Sequence, residues 1–243
     1  MLELSGHQVA LIDEPLDVRL RGLGEVAAAF DDEDDLGGVL WRARLRDDDG
    51  RVWRAAADAP EHLPAGLAPS KPGTGRVPAL GSLHPVRLDV HAEAPDGRGA
   101  KRTFERRLLA DGVRVRRWKE PQLRGTAFLP PPDAPAAEPL LLDARIDAST
   151  GELGLLAAFV APLAAAVLAS RGRATLVVTD LDDLAPALER LAGLRAATGA
   201  PRVLRTLGAG DVVLLPPGIP VLDEGSAART ARRDRWASIV TPA

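Results

Sequence analysis

The chain has 243 residues, a formal net charge of −3, no cysteine and no tyrosine. A length of this order holds one large domain or two ordinary ones. The lack of cysteine excludes disulfides, thiolate metal sites and a cysteine nucleophile, and the weakly acidic balance gives no reason to expect nucleic acid as a partner.

The N-terminus, M-L-E-L-S-G-H-Q-V-A, has neither a basic patch nor an apolar run, so a secretory signal is not expected and the cytoplasm is the default location. Leu16–Leu20 alternates strictly between apolar and polar residues and predicts a strand. The acidic run Asp31–Asp35 lacks the spaced oxygen ligands and glycine of a calcium loop, and reads as a self-repelling solvated loop. Val39–Leu45 and Arg51–Ala57 flank Asp47-Asp48-Asp49-Gly50 and predict a hairpin, with Trp41 and Trp53 as core residues on its two strands. Residues 60–80, with five prolines, form a long irregular connection. Val86–His91 and Arg102–Leu109 predict two more strands, joined by a turn at Pro95–Gly99. About seven short strands without a convincing helix argue for an antiparallel β-sandwich of immunoglobulin-like type.

Glu105–Pro132 reads as strand, turn, strand, break and short strand. Asp111-Gly112 predicts a hairpin that pairs Arg106–Leu108 with Val113–Val115. Pro130, Pro131 and Pro132 offer no N–H to a ladder and end the last strand. This stretch is taken as the boundary between a β-sandwich over residues 1–128 and a second domain over 129–222, with a basic, flexible tail over 223–243.

In the second part the periodicity changes. Pro139–Ile146 predicts a buried strand and Leu153–Ser170 a helix, stopped at Arg171-Gly172. That helix is uncharged and near membrane-spanning length, but it is Ala-rich and interrupted by Pro162, so a buried helix is expected rather than a membrane span. Ala174–Thr179 predicts a second strand. Leu181, Leu184, Leu188, Leu191 and Leu194 lie on one face of a helix over Leu181–Ala197. Arg202–Leu207 predicts a third strand, which gives a parallel sheet with right-handed crossovers. Asp180, Asp182 and Asp183 read as acids at a helix start rather than as a cation site. The tail Arg229–Trp236 reads as a solvated end, with a phosphate-binding role for Arg232, Arg233 and Arg235 as the alternative.

Three segments, Ile12–Leu23, Leu40–Ala57 and Gly112–Pro131, occur in an order that resembles the N-terminal domain of the acyl-CoA thioesterase / bile acid-CoA:amino acid N-acyltransferase family. Its marks are D-E-P (Asp13–Pro15) before a strand and the closing R-G-T-A-F-L-P-P (Arg124–Pro131). Val167–Val178 resembles a helix end and strand of the family's hydrolase domain. The resemblance departs at Arg76–Pro85, where a family segment is reduced to a vestige. It implies a sandwich beside an α/β-hydrolase domain, here truncated, and an acyl-CoA thioester as the ligand.

The chemistry that such a fold needs is missing. A hydrolase nucleophile stands on a G-x-S-x-G turn after a strand. Here the third strand runs into Thr206-Leu207-Gly208-Ala209-Gly210, so the nucleophile position is Gly208, which has no side chain to acylate. The histidines are His7, His62, His84 and His91, all in the first half, so a Ser–Asp–His triad in family order cannot be built. Ile146–Gly151, the expected oxyanion loop, keeps one glycine and an acid that opposes a developing negative charge. Ser149 and Ser226 are the serines to consider as nucleophiles, and neither has a base in sequence reach. Gly208-Ala209-Gly210 lacks the third glycine of a dinucleotide fingerprint. No cofactor and no metal are expected. A catalytically degenerate family member is the leading expectation, with a binding or oligomerisation module using an exposed sheet edge as the alternative.

Overall fold

The strict alternation of the first half folds into one large sheet. The computed structural model describes residues 2–22, 38–71, 75–120, 123–145, 151–179, 184–194, 197–207 and 213–240. The chain divides into two units, Met1–Arg107 with Gly218–Asp223, and Leu108–Pro217 with Glu224–Ala243.

In unit 1 the strands are β1 (Glu3–Ser5), β2 (Val9–Leu11), β3 (Arg19–Arg21), β4 (Leu40–Arg46), β5 (Val52–Ala57), β6 (Ala68–Pro69), β7 (Val86–Glu93) and β8 (Gly99–Arg107). Six of them form a sheet in the order β2-β8-β7-β4-β5-β6, and β1 and β3 pair separately. The ladders are antiparallel except for β2 against β8. Period-two patterning decides which face is buried: Trp41, Ala43 and Leu45 on β4, Trp53 on β5, Leu88 and Val90 on β7 and Phe104 on β8 all lie inside. The two tryptophans are thus core residues, as their hairpin position predicts. Among the described residues the second, packed sheet of an immunoglobulin-like sandwich is not seen. The partner layer is a two-stranded ribbon and irregular chain, including the one-turn helix α1 (Leu63–Gly66), which lies against β4 and β5. Asp31–Asp35 lies outside the described residues.

The Asp47–Gly50 turn does more than reverse the chain. Asp47 is 5% exposed. Its carboxylate accepts from the Trp53 indole N–H at 3.1 Å and from the backbone N–H groups of Arg51 at 2.8 Å and Ala79 at 3.2 Å. A buried carboxylate is tolerated when donors fill its lone pairs in this way.

Unit 2 holds β9 (Arg114–Glu120), β10 (Leu123–Leu129), β11 (Leu140–Asp143), α2 (Gly151–Ser170), β12 (Thr175–Val178), α3 (Ala185–Ala192), β13 (Arg202–Arg205) and α4 (Ser226–Val240). Its sheet runs β13-β11-β12-β10-β9. Strands β13, β11 and β12 are parallel, whereas β10 and β9 are antiparallel to their neighbours. From β11 the chain crosses through α2 to β12 on one side. It then crosses back through α3, past β11, to β13 on the other. With right-handed crossovers these opposite directions put the two helices on opposite faces. Leu141, Leu176, Val178 and Trp118 form a cluster with Ala187 and Leu191 of α3, and Leu184, Leu188 and Leu194 pack on its rim. Leu181 lies outside the described residues, and α3 occupies Ala185–Ala192 of the predicted span.

Helix α2 is long and apolar enough to cross a membrane by composition alone. Its second half is buried all round, with Leu163 to Ala169 at 2% exposure or less. Its first half lies at the surface on one side, where Leu155 and Phe159 are exposed.

Three expectations need correction. The first is the Asp111-Gly112 hairpin. Gly112 does turn, at a φ of 83°, but β8 pairs with β7 in unit 1 while β9 pairs with β10 in unit 2. The antiparallel pairing comes one element later, between β9 and β10, because β8 is paired along nearly its whole length with β7. The second is the boundary expected at residue 128. β9 and β10 belong to the second unit, which starts at Leu108 and has a mixed rather than an all-parallel sheet. The third is the flexible tail over 223–243. Residues 226–240 form α4, with Arg232, Trp236 and Ile239 buried on one face at four- and three-residue steps.

Candidate functional site

In open α/β sheets, ligands bind outside the carboxyl ends of the strands where the crossover direction reverses. Here that point lies between β11 and β13, which is also where the sequence places the nucleophile turn. β11 ends at Asp143 and β13 at Arg205, and what the two strands present there decides the chemistry.

Asp143 is tied up by its own neighbour. Arg145 donates through Nε at 2.8 Å to one carboxylate oxygen and through Nη2 at 2.9 Å to the other. This fork-on-fork contact, with help from the Arg145 backbone N–H and the nearby Arg205 charge, holds the Asp143 carboxyl below its ordinary pKa. A carboxylate held ionised and bidentate is a poor general base.

Thr206 is 2% exposed. Its backbone N–H reaches the Asp143 carbonyl at 3.1 Å, and its hydroxyl donates to the same oxygen at 3.3 Å. The hydroxyl therefore extends the β11–β13 ladder instead of facing a substrate. Beyond it, Leu207 bridges antiparallel to Val213, and the Leu214 N–H donates to the Thr206 carbonyl at 2.7 Å. The chain returns as extended backbone, and no helix follows the turn within 213–225. Gly208, Ala209 and Gly210 lie outside the described residues, as do Ile146–Thr150 with Ser149, and Asp180, Asp182 and Asp183.

The remaining candidates are scattered. His7, His62, His84 and His91 belong to unit 1; His7 faces Asp17 at 3.4 Å on the surface. Ser226 opens α4 and is exposed. No group of three or more metal-ligating residues occurs among the described residues.

The tail arginines separate. Arg232, expected in solvent, is 4% exposed. It donates through Nε and Nη2 to the two Glu224 carboxylate oxygens at 2.8 and 2.7 Å, and through Nη1 to the Pro216 carbonyl at 2.9 Å. Buried on these partners, the side chain is not presented to solvent as a phosphate ligand would be. Arg235 donates to the Arg205 carbonyl, on the edge of β13 that faces away from β11. Burial lowers the Arg235 pKa from its ordinary value. Arg233 is exposed. The Arg232/Trp236/Ile239 spacing was present in the sequence, but an arginine at the first position disguises it as a solvated face.

The glycine of the R-G-T-A-F-L-P-P segment has a packing role. A Cβ on Gly125 would sit 2.5 Å from the Val177 carbonyl oxygen and 2.9 Å from Leu176, where β10 crosses close to β12. Comparison with known proteins returns no match, either among protein-family models or among curated proteins.

Proposed function

We propose that the chain is a cytoplasmic, catalytically degenerate relative of the acyl-CoA thioesterase / bile acid-CoA:amino acid N-acyltransferase family. In this reading unit 1 derives from the immunoglobulin-like domain and unit 2 from the first half of an α/β-hydrolase sheet. The strand order of unit 2 supports the second assignment: an antiparallel pair leads into three parallel strands with the first laid between the other two. The β10 position of the R-G-T-A-F-L-P-P segment, where only glycine fits, supports a fold-level reason for that motif.

The observation that carries degeneracy is the content of the switch point. Asp143 and Arg145 neutralise each other, and the Thr206 hydroxyl points back at a carbonyl. Gly208 offers no nucleophilic atom, and the 152 residues from 92 to 243 include no histidine. In this reading the switch point binds a thioester without cleaving it.

The test is a titration of the full chain with free CoA and a non-hydrolysable acyl-CoA, beside a thioester-release assay from short to long acyl chains. Saturable binding without turnover is expected. Turnover abolished by one substitution in unit 2 would refute degeneracy, and failure of both ligands to bind would refute the acyl-CoA assignment.

One observation favours the alternative module. Among the described residues β13 pairs on one side only, and Val203 on it is 42% exposed. Open edges recruit strands. A dimer by light scattering that Val203→Lys converts to monomer is the expected result under this reading, and a monodisperse wild-type monomer sinks it.

A further inference from the structure

The outer face of the six-stranded sheet in unit 1 carries a concentration of positive charge that its own carboxylates do not balance. Arg44 on β4 stands directly opposite Arg54 on β5. His91 on β7 stands opposite Arg42 on one side and Lys101 on the other. Like charges directly opposite one another destabilise a ladder, so sheets ordinarily avoid this register. Two acids lie nearby, and one of them, Asp89, stands opposite Arg44 in the β4–β7 ladder. Glu93 accepts from Arg42 at 2.6 Å, and Asp89 accepts from the Thr103 hydroxyl at 2.6 Å. Among the described residues Arg44, Arg54 and Lys101 have no carboxylate within ion-pair distance.

These residues line a cleft of about 360 Å³ in the middle of the sheet face. Gly99 makes room for one wall: a Cβ there would lie 2.9 Å from Nε2 of His91. Arg44, Arg54 and Lys101 thus line a single space against Asp89, with Arg42 beside them already paired to Glu93.

We propose that this cleft binds a small anion bearing two phosphoryl groups. Two guanidinium forks on neighbouring strands suit two phosphoryl groups, because each fork matches the oxygens of one group bidentately. An extended polyanion fits less well. Beyond the cleft, Glu93 and Glu105 on the same face would repel a chain of phosphates that ran past it. The cleft volume lies in the range of small-ligand sites. This site stands independently of the acyl-CoA reading, since it uses unit 1 alone and requires no thioester.

Calorimetric titration of the full chain with inorganic pyrophosphate at low salt tests it. One saturable site is expected, weakening as salt rises. Arg44→Ala and Arg54→Ala should each lower affinity about tenfold, the loss of one charge-assisted contact. Arg54→Lys should recover part of it. Arg87→Ala, on the same face but outside the cleft, should bind as wild type. A second readout separates a binding role from a structural one: without pyrophosphate, Arg54→Ala should melt at or above the wild-type temperature, because it removes a like-charge pair. The proposal is overturned if pyrophosphate gives no saturable heat, if Arg44→Ala and Arg54→Ala bind unchanged, or if a short single-stranded oligonucleotide binds tighter than pyrophosphate. Destabilisation by Arg54→Ala in the absence of ligand would overturn it as well.

Discussion

Asp47 in unit 1 and Arg232 in unit 2 are both charged residues that their local sequence places in water and that the fold buries. They are satisfied in opposite ways. Asp47 is surrounded by neutral donors, an indole and two backbone amides, so its charge is spread over three contacts that each unit of chain supplies on its own. Arg232 depends on one oppositely charged partner, Glu224, with the Pro216 carbonyl accepting from Nη1. The difference sets what happens on breaking them. Truncating Asp47 leaves polar groups unpaired. Truncating Glu224 leaves a full charge stranded in a dry site, which is the costlier of the two.

The largest effect is therefore expected from Glu224→Ala, at about 3–5 kcal/mol of lost stability in chemical denaturation. The pair Arg232→Met with Glu224→Leu should cost less than either single change, because removing both charges leaves none stranded. If the single and double variants are equally unstable, α4 is held by Trp236 and Ile239 rather than by the ion pair. Asp47→Ala comes next, at about 2–3 kcal/mol, with Asp47→Asn milder because one oxygen acceptor survives. An Asp47→Ala loss equal to that of Glu224→Ala would erase the distinction drawn here.

Gly125→Ala follows, at about 1–3 kcal/mol, since the methyl meets the Val177 carbonyl and β10 must shift. Trp118 lies opposite Gly125 in the β9–β10 register, so its fluorescence should report that shift. The smallest effect concerns Asp143. Its folded pKa is depressed, chiefly by Arg145, so its contribution is present above the ordinary carboxylate value of 3.8 and is lost as pH falls through the lower folded value. Arg145→Gln should remove that acid-limb dependence while costing below about 1 kcal/mol at neutral pH, because the pair is partly solvated. An unchanged acid limb would show that Asp143 owes its depressed pKa to other groups.

How much of this was legible in the sequence follows from the range of the forces involved. Alternation in β4, β5, β7 and β8 is local, so those strands and the buried tryptophans could be read directly. The leucine spacing around Leu188 and Leu191 likewise marked α3. The Asp111-Gly112 turn was recognised, but a turn residue fixes only the chain's direction, and partner choice depends on strands tens of residues away. Asp47 looked like any acid in a D-D-D-G loop, because its donors at Trp53 and Ala79 come from outside it. The sequence puts the nucleophile turn after β13, at residues that lie outside the described ones, while the inward hydroxyl of Thr206 and the Asp143–Arg145 fork depend on β11 lying beside that strand. Arg232 was missed because a buried guanidinium is legible only once Glu224 is seen eight residues upstream.

Gly218–Asp223 returns to unit 1 after the whole of the parallel sheet has been passed. Ile219 is buried there, Gly218 lies so close to the Ile12 carbonyl that no larger residue fits, and the Leu222 N–H donates to the Arg76 carbonyl at 2.7 Å. A nascent polypeptide cannot finish its first-made unit until nearly all of it has left the ribosome. A fragment that stops at Arg107 would lack a piece of its own interior, so proteolytic or recombinant dissection should cut around this late segment and supply it in trans.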